Sequence, residues 1–177
     1  MPALSPVEHK YIIHWGELGT RWGISRTVAQ IHALLYLSER PLNAEEICDT
    51  LDLARSNVST ALKELQNWGI VRVAHIMGDR RDHFESMKDV FEMFRVIMME
   101  RKRREIDPTL LLLREAAAEM EKSRGTNAHT RERLQGMLDF FELANTWSEQ
   151  VQKTPTPILL KAVKLGERVF KLLGFTS

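Results

Sequence analysis

Two clusters of side chains in this sequence have the types and spacing to contact a polyanion. Within Arg55–Trp68, the apolar Val58, Ala61, Leu62 and Leu65 recur at i, i+3, i+4 and i+7. On a helix that leaves Arg55, Ser56, Asn57, Ser59, Thr60 and Lys63 on the other face. Short polar and forked basic side chains read base edges in a major groove, where Arg suits guanine and Asn suits adenine. The second cluster is Gly78-Asp79-Arg80-Arg81-Asp82, turn chemistry with two adjacent arginines flanked by aspartates. Such a tip suits a minor groove or a row of phosphates. Alone, a Ser/Asn/Thr-rich helix face is ordinarily solvated surface, and a basic turn is often only a loop. The order of the elements that join them is more specific than either piece.

Other chemistry fits less well. His14 and Glu17 share a helix face at i, i+3, a spacing that holds metal only with further ligands. No third ligand is in view, so a surface pair is the expectation. The sequence has no phosphate-cradling glycine loop, nucleophile elbow or CxxC. The expectation is a non-enzyme with no cofactor and no metal. Cys48, the single cysteine, permits no intrachain disulfide and sits at an apolar-face position, where an inert buried thiol is expected.

The elements that would position the two clusters read as follows. Ser5-Pro6 starts a helix whose stripe is Tyr11, Ile12, Trp15, Leu18, Gly19 and Trp22, stopped by Gly23. Ser25 caps a second helix through Val28, Ile31, Leu34 or Leu35, and Leu37. After Pro41, Asn43 caps a short helix with Glu46 completing a capping box. Its inward face is Ala44, Ile47, Cys48 and Leu51, and Asp52-Leu53-Ala54 turns into the helix Arg55–Trp68. Gly69 ends that helix. Ile70–Met77 alternates as a strand, and Asp82–Glu85 returns as a second one. The fold class is therefore mainly α with a small β-hairpin, a winged helix-turn-helix flanked by N- and C-terminal helices. The expected division is 1–87, the winged domain with its N-terminal helices, and 88–177, a helical dimerisation or regulatory region.

In that second region Val90, Phe91, Phe94, Ile97 and Met98 form one stripe. The run Glu100–Glu105 is expected to be a solvated helix face, and Asp107-Pro108 restarts a helix. After a loop over 123–130, Leu134, Leu138, Phe141, Ala144 or Asn145, Trp147 and Val151 make a near-heptad stripe. Beyond the linker 154–157, a final helix uses Ile158, Leu159, Val163, Val169, Phe170 and Leu173, with Gly174 as its end.

Bulk composition is ordinary for a globular chain of 177 residues, with 44% apolar and 28% charged residues and a formal net charge of +1. The charge is unevenly placed. Residues 1–53 hold four basic against seven acidic residues, whereas 54–84 hold five against three. A modest basic excess thus falls on the candidate reading surface. The N-terminus lacks the build of a signal peptide, and no apolar run approaches the roughly 20 residues of a membrane span. A cytoplasmic protein without membrane association is expected.

The stretch PLNAEEICDTLDLARSNVSTALKELQNWGIVRVAHIMGDRRDHFE resembles the winged-helix transcription regulators of the MarR superfamily. The closer similarity is to the branch typified by the glycine-betaine-synthesis regulators, which WGELGTRWGISRTVAQIHALLYL also resembles. The resemblance covers residues 8–120 well and the C-terminal helices less clearly. It implies a homodimeric, sequence-specific binder of double-stranded DNA, commonly a repressor, with terminal helices forming the dimer. The Asp79-Arg80-Arg81 turn is similar to the wing-tip pattern of that family, which implies an aspartate that orients an arginine meeting DNA; Arg80 and Arg81 are the expected positioning contacts. The two helices beyond SRGTNAHT exceed a minimal MarR fold. A two-fold dimer suits DNA, because it addresses half-sites roughly 34–36 Å apart. The branch implies a choline-like small-molecule effector, and Trp15, Trp22, Phe94 and Trp147 are the aromatics that would cage a quaternary ammonium group. Aromatics at helical spacing are more often core. The alternative function is a winged helix that serves as a protein-interaction module without sequence-specific DNA binding.

Overall fold

In the computed structural model, residues 4–122, 125 and 127–172 are described, with side chains to residue 166. By internal contacts the chain divides into two units, Met1–Val96 and Ile97–Ser177.

In the first unit, helix α1 (Pro6–Arg21) begins at a full capping box in which Ser5 and Glu8 satisfy each other's backbone N–H groups. Helix α2 (Arg26–Leu37) packs on it along a seam of small residues. A Cβ added at Gly19 would stand 2.5 Å from the Ala29 Cβ, so glycine is what permits the close crossing. Ser25 occupies the N-cap position of α2, but its hydroxyl makes no cap bond. At the other end of α2, Lys88 Nζ donates to the carbonyls of Leu35, Tyr36 and Ser38 at 3.0, 2.7 and 2.9 Å. These carbonyls would otherwise lack partners at the helix end.

Helix α3 (Ala44–Leu51) starts at the predicted box, with Asn43 Oδ1 accepting from the N–H groups of Glu45 and Glu46. It ends at Asp52 in the left-handed region, φ 51°. Helix α4 (Arg55–Asn67) buries Val58, Ala61, Leu62 and Leu65, as its spacing requires. Gly69 at φ +78° then reverses the chain where a side chain would be strained.

The wing is more than the expected hairpin. Strands β2 (Val71–Ala74) and β3 (His83–Ser86) pair antiparallel, and a two-residue strand β1 (Leu42–Asn43) adds to the far side of β3, giving the order β1-β3-β2. Residues 75–77 continue the apolar alternation in sequence but leave the ladder, and Met77 is fully exposed at the tip. The core gathers Ile31, Leu35, Leu42, Ile47, Val58, Leu65 and Ile70 from α2, α3, α4 and the sheet.

Helix α5 (Val90–Arg101) leads into a π-helical segment, Lys102–Ile106, and then helix α6 (Asp107–Lys122). The expected restart at Asp107-Pro108 is thus a widening of the helical path rather than a break. Proline supplies no N–H to the preceding turn, and a π-turn accommodates that omission. The charge run is tied internally by Arg101–Glu105, Arg103–Glu100 and Lys102–Asp107 pairs. Helix α7 (Ala128–Lys153) packs against α6, with the Arg114 guanidinium forked onto Glu142 at 2.7 and 2.9 Å. Helix α8 (Thr156–Leu172) takes up residues expected to be linker. The predicted contributions of Val169, Phe170, Leu173 and Gly174 lie outside the described side chains or residues, as do Ser123, Arg124 and Thr126 of the expected loop. The last three residues of that loop, Ala128 to Thr130, instead form the first turn of α7 behind the Asn127 cap. Among the described residues no helix is long and apolar enough to cross a membrane.

Candidate nucleic-acid interface

Every polar residue expected to face outward on α4 does so. Arg55, Ser56, Asn57, Ser59, Thr60 and Lys63 are all exposed, one turn-set away from the buried Val58, Ala61 and Leu62. The helix N-cap is Ala54, which offers no side-chain acceptor to the first N–H groups.

At the wing tip, Asp79 holds Arg81 on three sides. Its carboxylate accepts from Arg81 Nε at 3.0 Å, from Nη2 at 2.6 Å and from the Arg81 backbone N–H at 3.0 Å. This fork-to-fork geometry is the strong form of an arginine–carboxylate contact. The Arg81 bonds hold the Asp79 carboxyl well below its ordinary range, and Asp79 in turn raises the Arg81 guanidinium. Arg80, its exposed neighbour, makes no ion pair among the described residues. Behind the tip, His83 is buried, and its Nδ1–H donates to the Arg81 carbonyl at 3.0 Å. His83 stands opposite Asn43 in the β1–β3 ladder, so the wing tip and the start of α3 share one frame.

Glu45, in the first turn of α3, connects the two clusters. Its Oε1 accepts from Arg55 Nη1 at 3.1 Å and its Oε2 from Arg81 Nη1 at 3.3 Å. The N-terminus of α4 and the wing tip therefore open on the same side of the unit. A cleft of about 320 Å³ lies between them, lined by Glu45, Arg55, Ser59, Lys63, Arg81 and Phe84 among others. Glu45 was counted by sequence in the acidic N-terminal segment, yet in space it belongs to the basic surface. Nothing local signals this, because its partners lie 10 and 36 residues away.

The aromatic set is distributed differently from the two clusters. Trp15 stacks on Tyr11 with centroids 5.6 Å apart, and its Nε1–H donates to His32 Nδ1 at 3.3 Å. His32 and Tyr36 continue that cluster, and Lys88 Nζ lies 5.7 Å from the centre of the Tyr36 ring. The ring neighbours of Trp15 are thus Tyr11 and His32. Trp22 is half-buried, Phe94 on α5 is exposed, and Trp147 belongs to α7 in the second unit.

Comparison with known proteins follows the same lines. Residues 22–82 match the model of the MarR family. The HTH-type transcriptional repressor GbsR of Bacillus subtilis (strain 168) is 26% identical over 101 residues, covering 57% of this chain and 56% of that protein. The match thus spans about half the length of this relative. The crystal structure of a protein described as a transcriptional regulator is similar at a TM-score of 0.65 and 17% identity, over 83% of this chain and 96% of that one. At that identity the likeness concerns the fold. The helix-turn-helix with its three-stranded sheet is a winged-helix arrangement, and residues 22–82, which include α2, α3, α4, β2 and the wing turn, are the part that matches the MarR family model.

Proposed function

We propose that this chain is a sequence-specific, duplex-DNA-binding transcription regulator that acts as a cytoplasmic homodimer and represses its targets. The observation that supports this most directly is the shared contact of Arg55, from α4, and Arg81, from the wing, with the Glu45 carboxylate. In this reading α4 enters the major groove with Arg55, Ser56, Asn57, Ser59 and Thr60 nearest the bases. Lys63, Arg80 and Arg81 contact phosphates or the minor groove. The functional division falls at 87/88, after β3, with the helices beyond it serving dimerisation and regulation. The repressor role follows the relative named as a repressor. A small-molecule effector would act through those helices and through the aromatic residues Trp15, Trp22, Phe94 and Trp147.

The test is a gel shift on the DNA upstream of the protein's own gene, across a salt series. Wild type should show a linear fall of log affinity with log salt, reporting phosphate contacts. The double substitution Arg80→Ala/Arg81→Ala should abolish retention. Undiminished binding by the double variant would sink the wing assignment. Absence of any salt-dependent binding by wild type would sink the DNA reading and favour the protein-interaction alternative.

A further inference from the structure

Glu45 lies on α3, yet both of its carboxylate oxygens are engaged on the reading surface, one by each of two arginines from different elements. Its backbone is fixed. Asn43 Oδ1 accepts from the Glu45 N–H, and Asn43 is registered against His83, whose ring holds the Arg81 carbonyl. Carboxylate and wing tip therefore sit on one frame, and Arg55 is drawn to it from the first turn of α4.

The charges in this arrangement matter. Arg55 and Arg81 are cations, and Glu45 and Asp79 are the anions bonded to them. The four groups together are neutral. Lys63 and Arg80, with no ion pair among the described residues, add two positive charges to this face, and the exposed Asp82 in the cleft lining offsets one of them. A duplex that offers only a phosphate row meets a carboxylate between the two arginines, and like charges brought together across an interface are costly. A duplex whose acceptors match the spacing of both arginines can replace both Glu45 contacts at once.

We propose that Glu45 is a positioning and selectivity residue, which sets the spacing of Arg55 and Arg81 in the free protein and suppresses binding to non-specific duplex. Exposed ion pairs are weak in water, so Glu45 biases the arginines and does not lock them. The inference rests on the DNA-binding reading of this surface.

The experiment uses the full chain, with Glu45→Gln and Glu45→Asp, and circular dichroism to establish that each is folded. Fluorescence anisotropy is read against two probes, a random-sequence duplex and the tightest duplex selected from a random pool by wild type. Glu45→Gln should bind the random duplex on the order of tenfold more tightly, with a salt slope steeper by about one. Its gain on the selected duplex should be smaller, so that the ratio between the probes falls. Glu45→Asp keeps the charge but shortens the reach. It should leave random binding near wild type and weaken binding to the selected duplex. Equal gains on both probes, or no change in Glu45→Gln, would overturn the proposal while leaving wild-type DNA binding intact. A wild type that binds neither probe would remove the DNA reading and this proposal together.

Discussion

The reading segment and the helices that follow it solve the burial problem in opposite ways. Between Leu42 and Ser86 the large apolar side chains are inside, and Ile76 and Met77 at the wing are the ones left strongly exposed. The wing tip, the first turn of α3 and Arg55 are tied to one another through Asn43, Glu45, Asp79 and His83. From Val90 onward the pattern inverts. Val90, Phe91, Phe94 and Met98 on α5 are half or more exposed, or nearly so. Met137, Phe140, Leu143 and Trp147 form an exposed row on α7, with Trp147 67% accessible. The proposed dimer would use such a row, because contiguous exposed apolar surface is what an interaction face offers. The first region buries its own large apolar side chains and leaves a polar face open, whereas the second leaves apolar rows open on α5 and α7.

The strongest attack on that contrast removes the face. Placing charge on the α7 row with Phe140→Glu/Trp147→Glu should convert the proposed dimer to a monomer in light scattering at micromolar concentration. Two linked readers gain on the order of 100-fold or more in avidity over one, so duplex affinity should fall by a similar factor. Retained secondary structure in the variant would show that the loss is one of assembly. A variant that stays dimeric would move the interface elsewhere, and a wild-type monomer would end the argument.

The contrast also explains what the sequence made legible. Helix α4 could be read because its two faces are a local, periodic property, and α3 could be read because the Asn43–Glu46 box lies within four residues. The turn with Asp79 and Arg81 two residues apart was equally local. Contacts between distant segments were not readable. Strand β1 is two residues long and exists through its pairing with β3, so it has no alternation to detect. Lys88 finishes α2 from 50 to 53 residues away. In α7 the heptad-like reading gave Trp147 a place on the seam. The half-buried positions are instead Leu134, Leu138, Phe141 and Asn145, and Trp147 falls on the adjoining exposed row. Two apolar rows side by side on one helix give a periodicity that cannot say which of them faces its own chain.

A second prediction probes how well the first unit is sealed. His32 is 3% exposed, accepts from Trp15 and leaves its Nε2 without a partner among the described residues. Burial, helped by the nearby Lys88 charge, pushes its pKa down from 6.5 to about 4. With the folded value below the unfolded one, the unfolded chain takes up the proton first as pH falls. The His32 contribution is therefore complete above about 6.5 and is lost as pH falls toward 4, roughly 3 kcal/mol in all. Urea unfolding at pH 7 and pH 4.5 should show this loss in wild type and a smaller one in His32→Phe, which keeps a ring in the site but does not titrate. Equal losses would show that water reaches the ring and that the unit is less closed than its burial implies.

The finest test separates the reader's frame from its contacts. Asn43 caps α3 and pairs in β1, so Asn43→Ala removes the acceptor for the Glu45 and Glu46 N–H groups. A lost N-cap costs about 1 kcal/mol, small beside the stability of the unit. The Arg40–Glu46 pair, at 2.6 Å, and the β1–β3 backbone pairing both survive the change, so α3 should stay folded with a looser first turn. That turn carries Glu45. A drop of about 1 kcal/mol in urea unfolding should therefore come with a larger relative change in duplex binding than an equally destabilising core substitution such as Leu35→Val, at a buried position of α2. Asn43→Ser, which restores a cap acceptor, should recover most of both. If Asn43→Ala lowers stability and leaves binding as the Leu35→Val control does, the start of α3 only supports the fold. The spacing of Arg55 and Arg81 would then have to be set from α4 and the wing alone.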